Sequence, residues 1–165
     1  MLSIAASARV SHLADIEDSC RNTRIVVGHD VVIDAFVKIK PAGGSGDVVI
    51  GRGTVINAGC VLYTGNGIRI GHDVLIAANC TLAPTNHAFG DPDRLIREQG
   101  FQPSRGGIVI GDDVWIGANC VLLDGTSIGS GCVIGAGSLV RGVLPPYCVA
   151  RGTPAVVCGW RERQR

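Results

Sequence analysis

A six-residue beat runs through this chain. In its second half an aliphatic residue stands at Ile110, Ile116, Leu122, Ile128, Ile134 and Val140, and Gly111, Gly117, Gly129 and Gly135 each follow one of them. The same phase occurs upstream at Val27 and Ile33, at Ile50, Ile56 and Leu62, and at Ile70, Ile76 and Leu82. An amphipathic helix repeats its apolar residues at third and fourth positions, so this period excludes one. A fixed short repeat is instead one strand-and-corner unit stacked on copies of itself, which for hexapeptides means a parallel β-helix. Three units make one triangular turn, and the first residue of each points inward onto its equivalent about 4.8 Å away.

The fifth residue of each unit also points inward and is small: Val31, Val37, Thr54, Cys60, Val74, Cys80, Val114, Cys120, Thr126, Cys132 and Ser138. A narrow prism with room for one large and one small side chain per face accounts for this alternation. It also accounts for 24 glycines and only 4% aromatic residues. The glycine at the second place is expected to serve a corner, through positive φ or close backbone approach. The expected architecture is all-β, a parallel β-helix forming a single domain over residues 1–165.

A net charge of +1 offers no electrostatic case for nucleic acid or an anionic membrane. No run approaches the roughly 18 apolar residues of a transmembrane helix. The opening residues lack the basic segment and apolar core of a secretory signal, so a cytoplasmic address is expected. Seven cysteines contain no Cys-x-x-Cys pair, and no metal site is expected. Four of them (Cys60, Cys80, Cys120, Cys132) fall on the small inward place, where a free thiol acts as a small hydrophobe. Cys20 fits a first repeat beginning at Ile16, whereas Cys148 and Cys158 lie outside the pattern.

The rhythm breaks in several places. Residues 1–24 carry one weak repeat and read as an irregular segment across the first turn. Pro41–Gly46 reads as a surface loop, and Gly65-Asn66-Gly67 as a two-residue bulge at a corner. The long break spans 85–107, and repeat-free loops beyond about 12–15 residues are usually functional. Its Phe89, Leu95, Ile96 and Phe101 are expected to anchor it. After Val140 the beat fades into a C-terminal segment, 145–165, ending in a basic tail with a short strand or helix.

Of the four histidines, His29 and His72 sit in Gly-His-Asp corners and read as solvated turn residues, and His12 says little. His87 differs, because it stands where a rigid coil hands over to an adaptable loop, the usual place for a working group. Histidine's ordinary pKa near 6.5 suits a general base. Arg94, Arg97, Arg105, Phe89 and Phe101 of the insertion are candidate acceptor contacts, because the loop overhangs His87. Asn57 and Tyr63 complete the expected acceptor-side set.

The segment from Asp47 to Ala155 resembles the left-handed β-helix acyltransferases, the hexapeptide-repeat family that uses acetyl-CoA. The resemblance is carried by Asn86-His87 and the looped insertion, by Ile110-Gly-Asp-Asp-Val-Trp-Ile-Gly-Ala118, and by Pro145-Pro-Tyr-Cys-Val-Ala-Arg-Gly-Thr-Pro-Ala155. These are similar to motifs of galactoside, maltose, xenobiotic and polysaccharide O-acetyltransferases. The loop wording, with Ile96-Arg-Glu-Gln-Gly100, is similar above all to polysaccharide and lipopolysaccharide O-acetyltransferases. The resemblance implies that His87, beside Asn86, is the catalytic base. It implies that Trp115 lies near the reacting groups and that Gly117, Ala118 and Ala136 line the pantetheine arm. It further implies a homotrimer with each site between two chains, a sugar or glycan acceptor, and coenzyme A as partner.

The chain departs from that pattern at Gly142 and Val156, where many members carry phosphate-binding lysines; Arg141 and Arg151 stand nearby as substitutes. Gly59 and Thr64 replace an acceptor-binding Asn and an Asp usual in galactoside enzymes. Asp93 and Glu98 are both candidates to orient His87. The expected activity is acetyl-CoA-dependent O-acetylation of a sugar hydroxyl in surface-polysaccharide assembly. N-acetylation of a nucleotide-linked amino sugar is the alternative; a carbonic-anhydrase-like β-helix and a scaffold are remoter ones.

Overall fold

The computed structural model describes residues 1–18 and 22–162. Cys20 and the last three residues of the basic tail lie outside the described residues. The chain winds as a left-handed β-helix whose strands, two or three residues long in the repeats, stack into three sheets of seven, eight and six strands, parallel throughout except for the last strand of the second. The first sheet runs through Ile25–Val27, Val48–Ile50, Ile68–Ile70 and Ile108–Ile110, the second through Val32–Ile33, Val55–Ile56, Leu75–Ile76 and Trp115–Ile116. The third runs through Lys38–Lys40, Val61–Tyr63, Thr81–Ala83 and Val121–Leu123. Registry is kept from turn to turn: Ile56, Ile76, Ile116 and Ile134 form one inward column. Every small fifth-place residue named above is buried, so the prism is filled by the large-and-small pairing that the repeat encodes.

The two corner requirements fall on different residues. The second-place glycines serve close approach: a Cβ on Gly117 would stand 2.5 Å from the Ala136 nitrogen of the next turn. The left-handed conformation belongs to the fourth place, occupied by Asp30, Asp73, Asn79, Asp113 and Asn119, residue types that tolerate positive φ. His29 and His72 have corner duties of their own. The Arg52 backbone N–H donates to Nδ1 of His72 at 3.0 Å, and Ser7 Oγ lies 3.3 Å from Nδ1 of His29.

Both chain ends are more regular than the rhythm alone implied. The N-terminal segment is a turn of the helix, with Leu2–Ile4, Arg9–Val10 and Asp15–Ile16 each pairing with a strand of the next turn. Its inward residues Ile4, Val10 and Ile16 keep the beat, but Ile4 is 42% exposed because no turn stacks on its other side. At the far end the beat loses two residues after Val140 and resumes: Leu144 pairs with Ile128 and Ala150 with Ile134. Cys148 therefore occupies an inward fifth place, fully buried, with its sulfur 3.5 Å from that of Cys132. Ala155–Trp160 then folds back antiparallel on Cys148–Gly152 and closes the second sheet.

Four breaks share one location. Residues 41–47, 64–67, 84–107 and 141–142 all connect the third sheet to the first, so these departures from the six-residue beat lie along one edge of the prism.

Candidate active site

The long insertion leaves this edge after Ala83 and returns at Ile108. Its entry rests on earlier turns, where a Cβ on Gly65 would stand 2.7 Å from Cγ2 of Thr85. It then doubles back as a hairpin. Gln102 donates its backbone N–H to the Asn86 carbonyl at 2.8 Å, Ala88 donates to Gly100 at 3.0 Å, and His87 and Phe101 form an antiparallel bridge. The tip is tied by Gln99, whose amide oxygen accepts from the Asp91 N–H and whose nitrogen donates to the carbonyls of Asp91 and Arg94. Arg94 donates to the Glu98 carbonyl at 2.8 Å, across the short 3₁₀ turn Ile96–Glu98. The imidazole of His87 lies against the Phe101 ring, centroids 4.7 Å apart. Among the described residues no carboxylate, Asp93 and Glu98 included, is hydrogen-bonded to that ring.

The exit stem is held by a residue that the repeat analysis did not single out. Asp124, 5% exposed, accepts the backbone N–H of Gly107 at 2.9 Å, that of Arg105 at 2.8 Å, and the side-chain amide of Asn66 at 3.2 Å. Gly107 has φ +76° and its Cβ would lie 2.5 Å from the Gly67 carbonyl oxygen, so only glycine fits. In the sequence, Asp124 falls between Leu122 and Ile128, where the beat is unbroken, so nothing in the rhythm marks it. An open pocket of about 270 Å³ lies beside the stem, lined by Asn86, Phe89, Gln102, Arg105, Leu123, Asp124 and Arg141. Arg105 and Arg141 make no ion pair with any described residue, and the oxygens of Asp124 are already occupied.

The expected site residues divide between two edges and two faces. Asn86, His87, Phe89, Arg94, Arg97 and Arg141 belong to the edge with the insertion. Arg94 is spent on the hairpin itself and Arg97 is exposed within it. Tyr63 ends a strand of the third sheet and points outward. Gly117, Ala118, Ala136 and Arg151 cluster on the edge between the second and third sheets, where Gly137 donates to the Ala118 carbonyl at 2.8 Å. Asn57 is on that edge too, its side-chain amide donating to the Ile76 carbonyl at 2.8 Å. Trp115 is on the outer face of the second sheet, opposite the insertion edge, and is 54% exposed. One chain therefore does not bring His87 together with Trp115 or Ala118. The N–H groups of Ala118 and Ala136 have no hydrogen-bond partner among the described residues, and no side chain at either position is larger than a methyl.

A β-helix of hexapeptide repeats belongs to a known class. The bacterial transferase hexapeptide family (six repeats) matches residues 107–142. A probable acetyltransferase of Mycobacterium tuberculosis is 42% identical over 115 residues, 70% of this chain and 36% of that protein. Galactoside O-acetyltransferase of Escherichia coli is 39% identical over 111 residues, 67% of this chain and 53% of that protein. The hexapeptide-repeat acetyltransferase of Vibrio cholerae, also solved with acetyl coenzyme A, superposes with a TM-score of 0.70 at 32% identity, covering 83% of this chain and 74% of that one. The chain belongs to the hexapeptide-repeat acetyltransferase family. It spans about a third to a half of the length of the curated relatives it matches.

Proposed function

We propose that this chain is an acetyl-CoA-dependent O-acetyltransferase acting on a sugar hydroxyl, with His87 as general base. The observation that carries this reading is the fixed hairpin that presents His87 beside a pocket containing Asn86, on the edge where every connection of variable length lies. The loop's likeness to polysaccharide and lipopolysaccharide enzymes supports surface-polysaccharide assembly as the setting and the cytoplasm as the place. Acetyl-CoA supplies an activated acetyl thioester. His87 takes the proton of the acceptor hydroxyl as that oxygen attacks the thioester carbon, and returns it to the departing sulfur. The unpartnered N–H groups of Ala118 and Ala136 suit the donor's polar arm and the charge developing on the carbonyl oxygen. Arg141 and Arg151 suit coenzyme phosphates, and Asn57, Tyr63, Phe89, Arg94 and Arg97 remain candidates for the acceptor side.

Because His87 and Ala118 stand on different edges, a complete site needs the Ala118 edge of a second copy. Outward positions of the second sheet supply an apolar stripe, Val32, Val55, Leu75, Trp115, Val133 and Val149, of the kind that marks an interface. A closed ring of three satisfies this head-to-tail contact with no free surface.

His87→Ala should lower turnover roughly 10²–10⁴-fold while acetyl-CoA binding persists. Near-normal turnover by that variant on the best acceptor overturns the assignment. Screening thioester cleavage against sugars, short glycans and nucleotide-linked amino sugars separates O- from N-acetylation.

A further inference from the structure

We propose that Asp124 is a positioning residue for His87, acting through the exit stem of the insertion; this rests on the reading of His87 as base. Three features of Asp124 go beyond ordinary packing.

First, its carboxylate spans three successive connections on one edge. Oδ2 accepts from Asn66, two turns earlier, and from Arg105, while Oδ1 accepts from Gly107. Second, all its partners are donors. An ionised carboxylate is acceptor-only, whereas an asparagine would turn an NH₂ group toward N–H groups and could keep only one side of the clamp. Third, its partners lie a short, stiff distance from the base. Between Arg105 and the paired Gln102 stand only Pro103, with its fixed φ, and Ser104, whose hydroxyl accepts the Gly106 N–H at 3.0 Å.

From Gln102 the coupling is direct. Its N–H bonds to the Asn86 carbonyl, and the neighbouring Phe101 both bridges to His87 and carries the ring on which the imidazole rests. Among the described residues the entry stem, which packs Thr85 on earlier turns, has no such clamp: its backbone link to the preceding turn is the Asn66 N–H to the Pro84 carbonyl, at 3.3 Å. Releasing Asp124 therefore leaves the hairpin paired but lets it swing on its entry. A swing of about 1 Å at a base costs on the order of 10²-fold in rate.

The test uses the full chain with Asp124→Asn and Asp124→Ala. For each, kcat for acetyl transfer should fall roughly 10–10²-fold while KM for acetyl-CoA moves less than about 2-fold. Backbone amides of Arg105 and Gly107 should exchange with solvent roughly 10-fold faster, while those of Gln102, paired to Asn86 within the hairpin, and Val121, bonded to Ser138 within the coil, are unchanged. In a His87→Ala background, Asp124→Ala should add no further loss, because both act through one unit. Unchanged exchange in the stem, unchanged kcat, or additive losses would each overturn the proposal. So would general unfolding of both variants, which would make Asp124 a folding residue. If His87→Ala itself keeps full turnover, the reading of the base fails, and the exchange data still decide whether Asp124 holds the stem.

Discussion

Ile76 shows what a single inward residue does in this fold. It is fully buried, with Ile56 in register on one side and Ile116 on the other. Truncating it opens a cavity that two flanking rungs of hydrogen-bonded backbone cannot close. Ile76→Ala should therefore cost about 2–5 kcal/mol, read from the denaturant midpoint with the slope unchanged. Ile4 has the same repeat position but one stacking partner and 42% exposure, so Ile4→Ala should cost less than half as much. The thiols follow the same logic. Burial, with the hydrogen bond to Cys132, pushes the Cys148 thiol up to about 12, which suppresses the reactive thiolate. Cys158, the exposed cysteine among those described, should be the first of them labelled by a thiol reagent.

At the level of the element, the insertion is a self-supporting hairpin, tied at its tip by Gln99 and at its exit by Asp124. Shortening Gly90–Gln99 to a two-residue turn keeps the Asp124 clamp and removes only contacts made within the tip. Repeats of a solenoid contact mainly their neighbours, so thermal unfolding should stay within a few degrees, roughly, of the full chain while acetyl transfer is abolished. Loss of cooperative unfolding in calorimetry would show the tip to be structural. The extent of this loop was legible in the sequence, because the beat stops at Thr85 and resumes by Ile108. Its internal pairing was not, since His87–Phe101 and Gln102–Asn86 are contacts between residues without any periodic signature. Asp124 was hidden for a related reason: its partners are 17 to 58 positions away.

For the whole molecule, the proposed shared site makes assembly a condition of activity. Light scattering in dilute buffer should give three times the 17.1 kDa of one chain, and a fully active monomer would remove the neighbour's part in the site. Leu75→Glu, on the exposed apolar stripe of the second sheet, should break the assembly and the activity together while leaving the coil folded. By itself the sequence determined the β-helix, its inward columns, the placement of Cys60, Cys80, Cys120 and Cys132, and the one long departure carrying His87. All of these follow from a six-residue period, which is a local property with one packing solution. Only the tertiary structure decided that the breaks line a single edge, that residues 2–16 and 144–150 continue the coil, and that His87 and Ala118 stand on different edges. Those facts depend on how many residues each corner consumes and on which distant donors a side chain such as Asp124 meets after three turns are stacked, and no period records either.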